Sequence, residues 1–454
     1  MARPPSHKTG RRPQWAQGLR FSLLALLAGG AALLLGLAGT TLRTGWIAPL
    51  DWLLPGTAAL ILIQLLARRE DGANRWRCAG LTWALVALPA GAFCLLASGA
   101  RPWAAVMALA VALGVVALAS GLALRLAAPA RWLALMALAG AATLAPALTG
   151  IWRGADDPRA ARPVIGVMTA VPLQGVPLGA VQGVSAAEAI GMRSPLWQEL
   201  EARFQPRALD ALDAASLEGL AAMLLLQPRR LAPAELVALD RWVRGGGRLV
   251  ALADPLLHWD DARPLGHPAR APLTSLLDPL LTHWGLGLEP AEMGGAEASP
   301  ERRWLKNGGM IQLFGASRFV AQGGGDCELR DNGLIADCRL GQGFALLIAD
   351  ADWVNDSLWT LNAADPADRT AWTSDAVDVL DGWLRGAPPR LMAEGSWLAD
   401  HDALLQALRT ALGLLLALAV LQWLVAARPT QISPETGGKV DQNRNKSTTE
   451  WDFT

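Results

Sequence analysis

Three aspartates that follow one apolar segment are the residues of this sequence with the clearest potential for chemistry. The apolar run at residues 344–349 is followed by Asp350, Asp352 and Asp356. A short run of this kind is typical of a buried strand, so the carboxylates should lie at the strand end and in the next turn. Carboxylate oxygens in such a place either cap the turn or bind a divalent cation. Asp350, Asp352 and Asp356 are therefore candidate metal ligands, with capping as the other interpretation.

The segment from Asp350 to Val354 also resembles a phosphatase motif. The pattern Asp-x-Asp-x-Val after an apolar strand is similar to the nucleophile motif of the haloacid-dehalogenase phosphatases, in which the first aspartate attacks phosphorus and the second acts as acid and base beside Mg²⁺. That chemistry also needs a downstream cation to neutralise the transferred phosphoryl group. The sequence has no lysine between Lys306 and Lys439, and little chain follows Asp356. A metal-dependent phosphohydrolase is therefore kept only as an alternative.

Other sequence patterns of catalytic or cofactor sites do not occur. The glycines at 245–247 lack the Gly-Lys-Ser/Thr ending of a phosphate-binding loop, and they follow a predicted helix instead of preceding one. The sequence has no Gly-x-Ser-x-Gly elbow, and its histidines are scattered without metal-ligand spacing. His258 and residues 259–261 follow a predicted strand end, where open α/β sheets bind ligands, but a solvated loop is the preferred interpretation. None of these patterns predicts a catalytic residue or a cofactor.

Six apolar segments are long enough to cross a membrane. Apolar residues make up 52% of the chain and the mean hydropathy is +0.27, which is high for a soluble protein. A transmembrane helix needs about 20 apolar residues. The predicted spans are residues 21–42, 46–67, 78–98, 103–124, 132–151 and 408–426. A cleaved signal peptide is the competing interpretation of the first span.

The arginines predict the orientation of these spans. Arginines between the second and third spans and between the fourth and fifth are Arg68, Arg69, Arg75, Arg77, Arg125 and Arg131. On the other side Arg43 and Arg101 stand alone. Loops rich in positive charge stay in the cytoplasm. The N-terminus is therefore expected in the cytoplasm, and the region after the fifth span in the periplasm of a bacterium with this chain in its inner membrane.

Strand and helix patterns alternate between the fifth and sixth spans. The strand patterns lie at residues 164–169, 221–227, 248–253 and 344–349, and the helix patterns at 195–204, 233–243 and 376–384. Such alternation predicts a doubly wound, mostly parallel sheet. Short strand patterns separated by glycine-rich turns at 310–340 predict a β-meander in the second half. The predicted fold class is a membrane α-helical bundle plus an extracytoplasmic α/β domain.

Cys327 and Cys338 flank a predicted hairpin. Asn332-Gly333 is a strong signal for a two-residue turn, and that register places position 327 opposite position 338. We expect the two cysteines at a hydrogen-bonded position with Cα atoms about 5.5 Å apart, within the range that a disulfide accepts. Disulfides persist outside the cytoplasm. The sequence therefore predicts a Cys327–Cys338 disulfide, with two free thiols as the alternative.

Two segments of the α/β region resemble one known family. They are Leu-Asp-Arg-Trp-Val-Arg-Gly-Gly-Gly-Arg-Leu-Val-Ala-Leu-Ala-Asp-Pro at 239–255 and Gly-Phe-Ala-Leu-Leu-Ile-Ala-Asp-Ala-Asp-Trp-Val-Asn-Asp at 343–356. Both are similar to the GldG-type auxiliary domain of ABC transport systems, which is associated with gliding motility in some bacteria. The resemblance extends over roughly residues 160–390. It implies a non-catalytic extracytoplasmic α/β domain that works beside an ABC permease and a separate ATPase.

The predicted organisation has six parts. They are a basic cytoplasmic tail at 1–20, five transmembrane helices at 21–153, the periplasmic α/β domain at 155–390, a linker at 391–407, a sixth transmembrane helix at 408–427 and a disordered cytoplasmic tail at 428–454. The resemblance and this organisation together predict a non-catalytic auxiliary or permease-like membrane subunit of an ABC-type export system.

The predicted partners are an ABC-type ATPase subunit, a permease and the lipid bilayer. No basic patch with interleaved aromatic residues occurs in the soluble part, so nucleic acid is not expected as a partner. The alternative function is a membrane-anchored periplasmic sensor or binding protein, and the third is the metal-dependent phosphohydrolase.

Overall fold

The structure is a computed structural model that contains a bundle of long helices and an α/β region. It describes residues 14–69, 72–152, 162–174, 193–259, 263–267, 270–290, 300–306, 309–392 and 395–427. The predicted disordered tail at 428–454, and residues 1–13 of the predicted basic tail, lie outside the described residues.

Helices α1 to α13 occur in chain order. They are α1 (Gln14–Leu37), α2 (Thr40–Thr44), α3 (Leu53–Leu66), α4 (Gly72–Ala97), α5 (Trp103–Ala123), α6 (Ala128–Trp152), α7 (Pro195–Arg203), α8 (Ala214–Leu217), α9 (Pro233–Arg244), α10 (Asp278–His283), α11 (Asp356–Trp359), α12 (Ala376–Arg385) and α13 (His401–Ala427).

Strands β1 to β13 are short. They are β1 (Trp46–Ile47), β2 (Val164–Thr169), β3 (Gln205–Ala208), β4 (Ala222–Leu226), β5 (Arg248–Leu252), β6 (Leu286–Glu289), β7 (Glu301–Trp304), β8 (Met310–Leu313), β9 (Arg318–Ala321), β10 (Cys327–Arg330), β11 (Ile335–Leu340), β12 (Gly343–Ile348) and β13 (Ser396–Trp397).

Five helices of the described chain, α1, α3, α4, α5 and α13, are long and apolar enough to cross a membrane. The segments that meet this description are Leu19–Leu37, Pro49–Leu66, Ala79–Ala97, Trp103–Ala123 and His401–Val425. In α6 the apolar stretch found among the described residues, Ala128–Leu144, is shorter. The span predicted at 132–151 falls in α6 and stays a prediction.

Small residues bring these helices together, and their outer faces are apolar. A Cβ atom added at Gly29 of α1 would lie 2.2 Å from Leu85 Cδ2 of α4 and 3.0 Å from Leu415 Cδ1 of α13. Side chains of the neighbouring helices therefore pack directly against this glycine, and small residues at helix contacts are typical of helices packed in a membrane. Leu34 and Leu133, by contrast, are 65% and 68% exposed. An apolar surface of this kind suits contact with lipid tails.

The second predicted span begins later than the sequence suggested. Residues 46–48 precede the candidate span Pro49–Leu66, because Trp46 and Ile47 form β1. The span itself opens with a 3₁₀ turn, Pro49–Trp52. Proline at the first position of that turn fixes its backbone, and α3 starts directly after it. The last long helix begins earlier than the sequence suggested, because α13 starts at His401, within the predicted linker.

The main sheet of the α/β region is mixed. It has seven strands in the order β10-β11-β12-β5-β4-β2-β3. The strands from β12 to β3 pair in parallel, and β10, β11 and β12 pair antiparallel. The central strands β4 and β5 are almost wholly buried, as their uninterrupted apolar sequences predict. Helix α12 packs on these central strands.

Helix α9 and strand β5 form the unit that the glycines at 245–247 join. Pro233 occupies the first turn of α9, and Glu235 accepts hydrogen bonds from the backbone N–H groups of Ala232 (2.7 Å) and Leu212 (3.1 Å). The hydrogen bond from Arg229, together with these N–H groups, lowers the pKa of Glu235 to about 2. Gly343 at the start of β12 lies against this helix end, because a Cβ atom there would be 1.8 Å from the Val243 carbonyl oxygen.

The second half of the α/β region is less regular than a single meander. Strands β10, β11 and β12 do form consecutive antiparallel pairs, but β6 pairs with β9 and β7 with β8 in separate two-stranded sheets. The helix in this part of the chain, α10, is short, and Pro279 lies in its first turn. Proline lacks the N–H group that a helix interior needs but that its first turn does not.

The structure joins Cys327 and Cys338 by a disulfide across β10 and β11. The two residues are direct partners in the register. Their Cα atoms are 4.0 Å apart, closer than the sequence suggested. Asn332 and Gly333 have the left-handed backbone expected of the turn, with φ of 58° and 85°, but Asp331 shares it with φ of 51°, so the loop is longer than two residues. In antiparallel strands, hydrogen-bonded pairs alternate with closer pairs that lack mutual hydrogen bonds. With this longer loop Arg339 N donates to Asp326 O, so the next pair, Cys327 and Cys338, is one of the closer pairs.

Removing this disulfide should destabilise the edge of the sheet. The bond closes a loop with a sequence separation of 11, for which the loss of unfolded-state entropy is worth about 3 kcal/mol. The variant Cys327→Ser/Cys338→Ser is expected to exchange the β10 and β11 amide hydrogens faster and to unfold at lower urea concentration. Reductant should have the same effect on the wild type and no effect on the variant. Equal stability of the oxidised and reduced protein would contradict the expectation.

Candidate functional site at the carboxyl edge of the sheet

Three buried carboxyl groups meet at the carboxyl edge of the parallel strands. Asp254 follows β5, and Asp350 and Asp352 follow β12. Because β5 and β12 are parallel neighbours, their carboxyl ends bring these residues together. Each of the three offers an oxygen atom that lies within 4.8 Å of the others. All three residues are at most 1% exposed.

Backbone N–H groups of several loops point to these carboxyl groups. Asp350 accepts hydrogen bonds from Phe314 N and Trp353 N, both at 3.1 Å. Its side chain thus ties the end of β12 to its own turn and to the loop after β8. A buried N–H group that lost its acceptor would cost about 1–3 kcal/mol.

Asp254 and Asp352 make the same kind of link. Asp254 accepts from Leu256 N (2.7 Å) and from Ala351 N (3.0 Å). Asp352 accepts from His258 N at 2.9 Å. The loop after β5 and the loop after β12 are therefore fastened to each other by two carboxyl groups.

The third residue of the sequence prediction lies elsewhere. Asp356 starts α11 and accepts from Leu196 N at 3.3 Å, in the first turn of α7. The structure therefore brings Asp350 and Asp352 together but not Asp356, and it adds Asp254. The sequence does place Asp254 before Pro255, at the end of a predicted strand. It does not show that β5 and β12 are neighbours in the sheet.

Burial raises the pKa of all three carboxyl groups. Loss of hydration is the largest cause for each, and the neighbouring carboxyl groups add to it for Asp350 and Asp352. The pKa of Asp352 rises to about 7, and that of Asp350 lies well above its usual range. Carboxyl groups with raised pKa values hold protons near neutral pH, so the cluster carries less negative charge than three aspartates suggest.

The arrangement favours a structural link over a catalytic site. Among the described residues, neither Asp254 nor Asp350 forms a salt bridge, and the partner of Asp352 is His258, with Nδ1 3.5 Å from Oδ2. These carboxyl groups therefore have no lysine or arginine of the described chain as a salt-bridge partner. Asp254, Asp350 and Asp352 have the hard oxygen donors that a divalent cation prefers, yet their oxygens already accept backbone N–H groups.

The rim of this edge carries two aromatic rings. His258 and Phe314 contact edge to face with ring centroids 4.6 Å apart, and the His258 side chain is 44% exposed. Trp259 is partly buried against the core. Asp260 and Asp261, which follow it, lie outside the described residues.

The raised pKa values predict a fall in stability as pH rises. A group whose pKa is higher in the folded than in the unfolded state stabilises the fold fully below its unfolded value and loses this effect as pH passes its folded value. For Asp352 the window runs from about pH 4 to about pH 7. Asp356 and Asp375, with pKa values raised to about 6, act in the same direction.

Asp352→Asn isolates the contribution of that one group, because asparagine can still accept from His258 N but does not titrate. The thermal midpoint of the wild type in detergent is expected to fall by several degrees more between pH 5 and pH 8 than that of the variant. Parallel pH profiles for the two proteins would contradict the expectation.

A second candidate site is the junction between the α/β region and the helical bundle, defined here as β1, β13 and residues 97–100. Strand β1 pairs antiparallel with β13, so Trp46 lies opposite Trp397. The two rings contact edge to face at 4.8 Å. Trp46 and Trp397 are 8% and 1% exposed.

Backbone hydrogen bonds extend this junction to the end of α4. Gly99 N donates to Trp397 O (3.0 Å), and Ala399 N donates to Ala97 O (2.9 Å). On the other side Leu398 N donates to Gly45 O at 2.8 Å. Segments before α3, after α4 and before α13 therefore meet directly beneath the α/β region.

Side chains of β7 complete the junction. The indole of Trp304 lies against Gly99, where a Cβ atom would be only 2.0 Å from Trp304 Cζ2. Arg302 Nη1 donates to the Leu398 carbonyl oxygen at 3.4 Å. Sequence reasoning missed this junction, because two-residue strands have no periodicity that a pattern could reveal.

One family model matches part of the α/β region. Residues 162–300 match the model of a family described as an ABC-type uncharacterized transport system. This match confirms the resemblance to ABC auxiliary domains over those residues, and the apolar helices that the resemblance was paired with are present. No curated protein matches the chain.

Similarity to solved structures is weak. An exo-beta-1,4-mannosidase from Opitutaceae bacterium strain TAV5 has a TM-score of 0.26 and 13% identity, covering 52% of this chain and 38% of its own. A beta-galactosidase from Rahnella sp. R3 has a TM-score of 0.25 and 13% identity, covering 48% of this chain and 33% of its own.

A cytoplasmic protein from Salmonella typhimurium has a TM-score of 0.25 and 10% identity, covering 50% of this chain and 99% of its own. This chain spans less than two fifths of the length of the two glycosidases.

Proposed function

We infer that this chain, a transport-associated accessory protein whose residues 162–300 match the ABC-type uncharacterized transport system family, is a non-catalytic auxiliary or permease-like subunit of an ABC-type export system. The observation that carries the proposal is this match, in a chain whose described residues also include five helices suited to cross a membrane. The proposed partners are an ABC-type ATPase subunit and a permease. The chain itself would supply no ATPase activity.

The α/β region is proposed to lie in the periplasm of a bacterium, as a doubly wound domain above the inner membrane. Two features support this orientation. The arginines of the loops between spans lie at the bundle end opposite the junction, and positive charge favours the cytoplasm. The disulfide of Cys327 and Cys338 lies in the α/β region, and disulfides persist outside the cytoplasm.

The junction suggests how the two parts act together. Its backbone hydrogen bonds connect the segment before α3, the end of α4 and the segment before α13 with one another. Arg302 and Trp304 of β7 contact these segments from the α/β region. A movement of the bundle during a transport cycle would therefore be passed to the α/β domain as a rigid displacement. This role requires no catalytic residue, which agrees with the use of the aspartate cluster for backbone links.

Purification from native membranes tests the proposal. The tagged chain would be extracted in mild detergent, and the proteins that accompany it would be identified and quantified by mass spectrometry. We expect a nucleotide-binding ABC subunit at near-stoichiometric yield. A tagged chain that lacks residues 162–390 serves as a control for the contribution of the α/β region. Repeated absence of an ATPase, with the chain intact and folded, would overturn the proposal.

One cavity favours a second candidate, a membrane-anchored periplasmic sensor or binding protein. It has a volume of about 290 Å³ and lies between the start of β9 and the turn before β11. Its lining residues are Pro290, Arg303, Ala316, Ser317, Arg318, Asp331, Asn332 and Leu334. This mixed polar lining could hold a small polar molecule. A chain purified without an ATPase but with a small molecule bound would favour this candidate.

A metal-dependent phosphohydrolase remains the third and least supported candidate. It would need phosphatase activity that requires Mg²⁺ and is lost in Asp350→Asn. The backbone hydrogen bonds of Asp350 and its neighbours leave that role without a second supporting observation.

A further inference from the structure

The bundle end that faces away from the α/β region carries a group of arginines. Arg68 follows α3, Arg77 lies near the start of α4, Arg125 follows α5 and Arg131 lies in the first turn of α6. The junction holds the start of the α3 segment and the end of α4, so antiparallel helices place all four arginines at the opposite end. Arg68, Arg77 and Arg125 are exposed.

These arginines have no acidic partner among the described residues. No salt bridge within the described chain involves any of the four, whereas arginines of the α/β region pair repeatedly. The Nε atom of Arg131 is buried and has no hydrogen-bond partner. Glu70 and Asp71, the acids nearest in sequence, lie outside the described residues. Among the described residues, no carboxylate therefore accepts hydrogen bonds from these guanidinium groups, and an anion such as phosphate could do so.

Tryptophans hold two of the arginines in place. Arg125 Cζ lies 5.7 Å from the centre of the Trp76 ring, which joins the start of α4 to the end of α5. Arg131 Cζ lies 6.0 Å from the centre of the Trp132 ring. Contact with an aromatic face stabilises a guanidinium group while its N–H edge remains free to bind an anion.

The surface next to this group is apolar and exposed. Leu122, Leu126 and Leu133 are 54%, 47% and 68% exposed. In a membrane such leucines contact lipid tails, which places Arg125, Arg131 and the two indole rings at the level of the lipid headgroups. A ligand that satisfied both surfaces would carry a phosphate group and acyl chains.

We propose that Arg125 and Arg131, with Trp76 and Trp132, form a binding site for the phosphate group of an anionic phospholipid at the α5–α6 turn. Arginine binds phosphate through two parallel N–H groups, which a carboxylate-free site leaves available. The acyl chains of the same lipid would cover the exposed leucines. The inference rests on the membrane placement of the bundle and is independent of the association with an ATPase.

Lipid-dependent stabilisation in detergent tests this site. The thermal midpoint of the purified full-length chain would be measured with added phosphatidylglycerol, phosphatidylcholine or inorganic phosphate. We expect phosphatidylglycerol to raise the midpoint of the wild type and phosphatidylcholine to have little effect. In Arg125→Gln/Arg131→Gln the concentration of phosphatidylglycerol needed for half of the effect should rise by about 10-fold or more, since each arginine near a membrane surface contributes roughly fivefold in affinity.

Arg101→Gln is the matched control, because Arg101 is an exposed arginine at the other end of the bundle. It should respond to phosphatidylglycerol as the wild type does. If the glutamine pair does not fold, Arg125→Lys/Arg131→Lys keeps the charge but loses the paired N–H groups, and its half-effect concentration should still exceed that of the wild type.

Three results would overturn the proposal. They are equal effects of the two lipids, an unchanged response in the glutamine variant (or in the lysine variant where the glutamine variant does not fold), and an equal effect of inorganic phosphate alone. The last result would assign the arginines to a soluble phosphate compound instead of a lipid.

Discussion

Replacing Asp350 by alanine is expected to lower the free energy of unfolding of the α/β region by about 2–5 kcal/mol. The substitution would leave the buried N–H group of Trp353 and the partly buried N–H group of Phe314 without their acceptor. A buried group of this kind costs about 1–3 kcal/mol, and a partly buried one costs less. Asp350→Asn keeps one acceptor oxygen, so it should cost about half as much. Hydrogen exchange of the amides at the end of β12 measures this effect without requiring unfolding of the bundle.

Asp365→Ala serves as the control for this prediction, because Asp365 is exposed and surface substitutions usually change stability by less than about 0.5 kcal/mol. A structural role also predicts that Mg²⁺ does not stabilise the wild type. Strong stabilisation by Mg²⁺ that Asp350→Asn abolishes would instead assign the three carboxyl groups to a metal site.

Replacing Gly99 by alanine is expected to loosen the junction. The new methyl group would be 2.0 Å from Trp304 Cζ2, far inside contact distance, so the indole of Trp304 must move away from the bundle. Overpacking of this kind costs about 1–3 kcal/mol. Because the strain is local, we expect exchange of the Leu398 and Ala399 amides to become roughly 10- to 100-fold faster while the main sheet stays protected.

Gly413→Ala in α13 is the matched control for Gly99→Ala. Nothing lies within 4 Å of a Cβ atom at that position, so the substitution should leave the junction amides unchanged. Unaltered exchange at Leu398 and Ala399 in Gly99→Ala would show that the α/β region does not depend on this contact for its attachment.

The sequence predicted the strands of the candidate site but not their order. The apolar runs before Asp254 and Asp350 were recognised as buried strands because burial on both faces leaves an uninterrupted apolar pattern. That β5 and β12 are neighbours depends on how the whole sheet assembles. Asp254 was therefore not grouped with Asp350 and Asp352, and Asp356 was grouped with them only because it is close in the chain.

The junction shows a second limit of sequence patterns. Trp46 and Trp397 were visible in the sequence, but the first was assigned to the start of a span and the second to a linker. Their pairing is non-local, and β1 and β13 have two residues each. Hydrophobic periodicity needs a longer segment before it can indicate a strand.

The cysteine pair shows a finer limit. The register that places Cys327 opposite Cys338 could be read from the sequence. The spacing of the pair could not, because it depends on which residues of the loop adopt a left-handed backbone. Asp331 does so as well as Asn332, and this lengthens the loop by one residue on each side.

Native mass spectrometry of the complex extracted from membranes tests the central claim most directly. If this chain is an accessory subunit of an ABC-type system, the intact particle should contain this chain and a nucleotide-binding ABC subunit in a fixed integer ratio. Gentle dissociation should release both chains from one parent mass. A particle that contains only this chain, alone or in several copies, would contradict the account and favour the stand-alone sensor or binding protein.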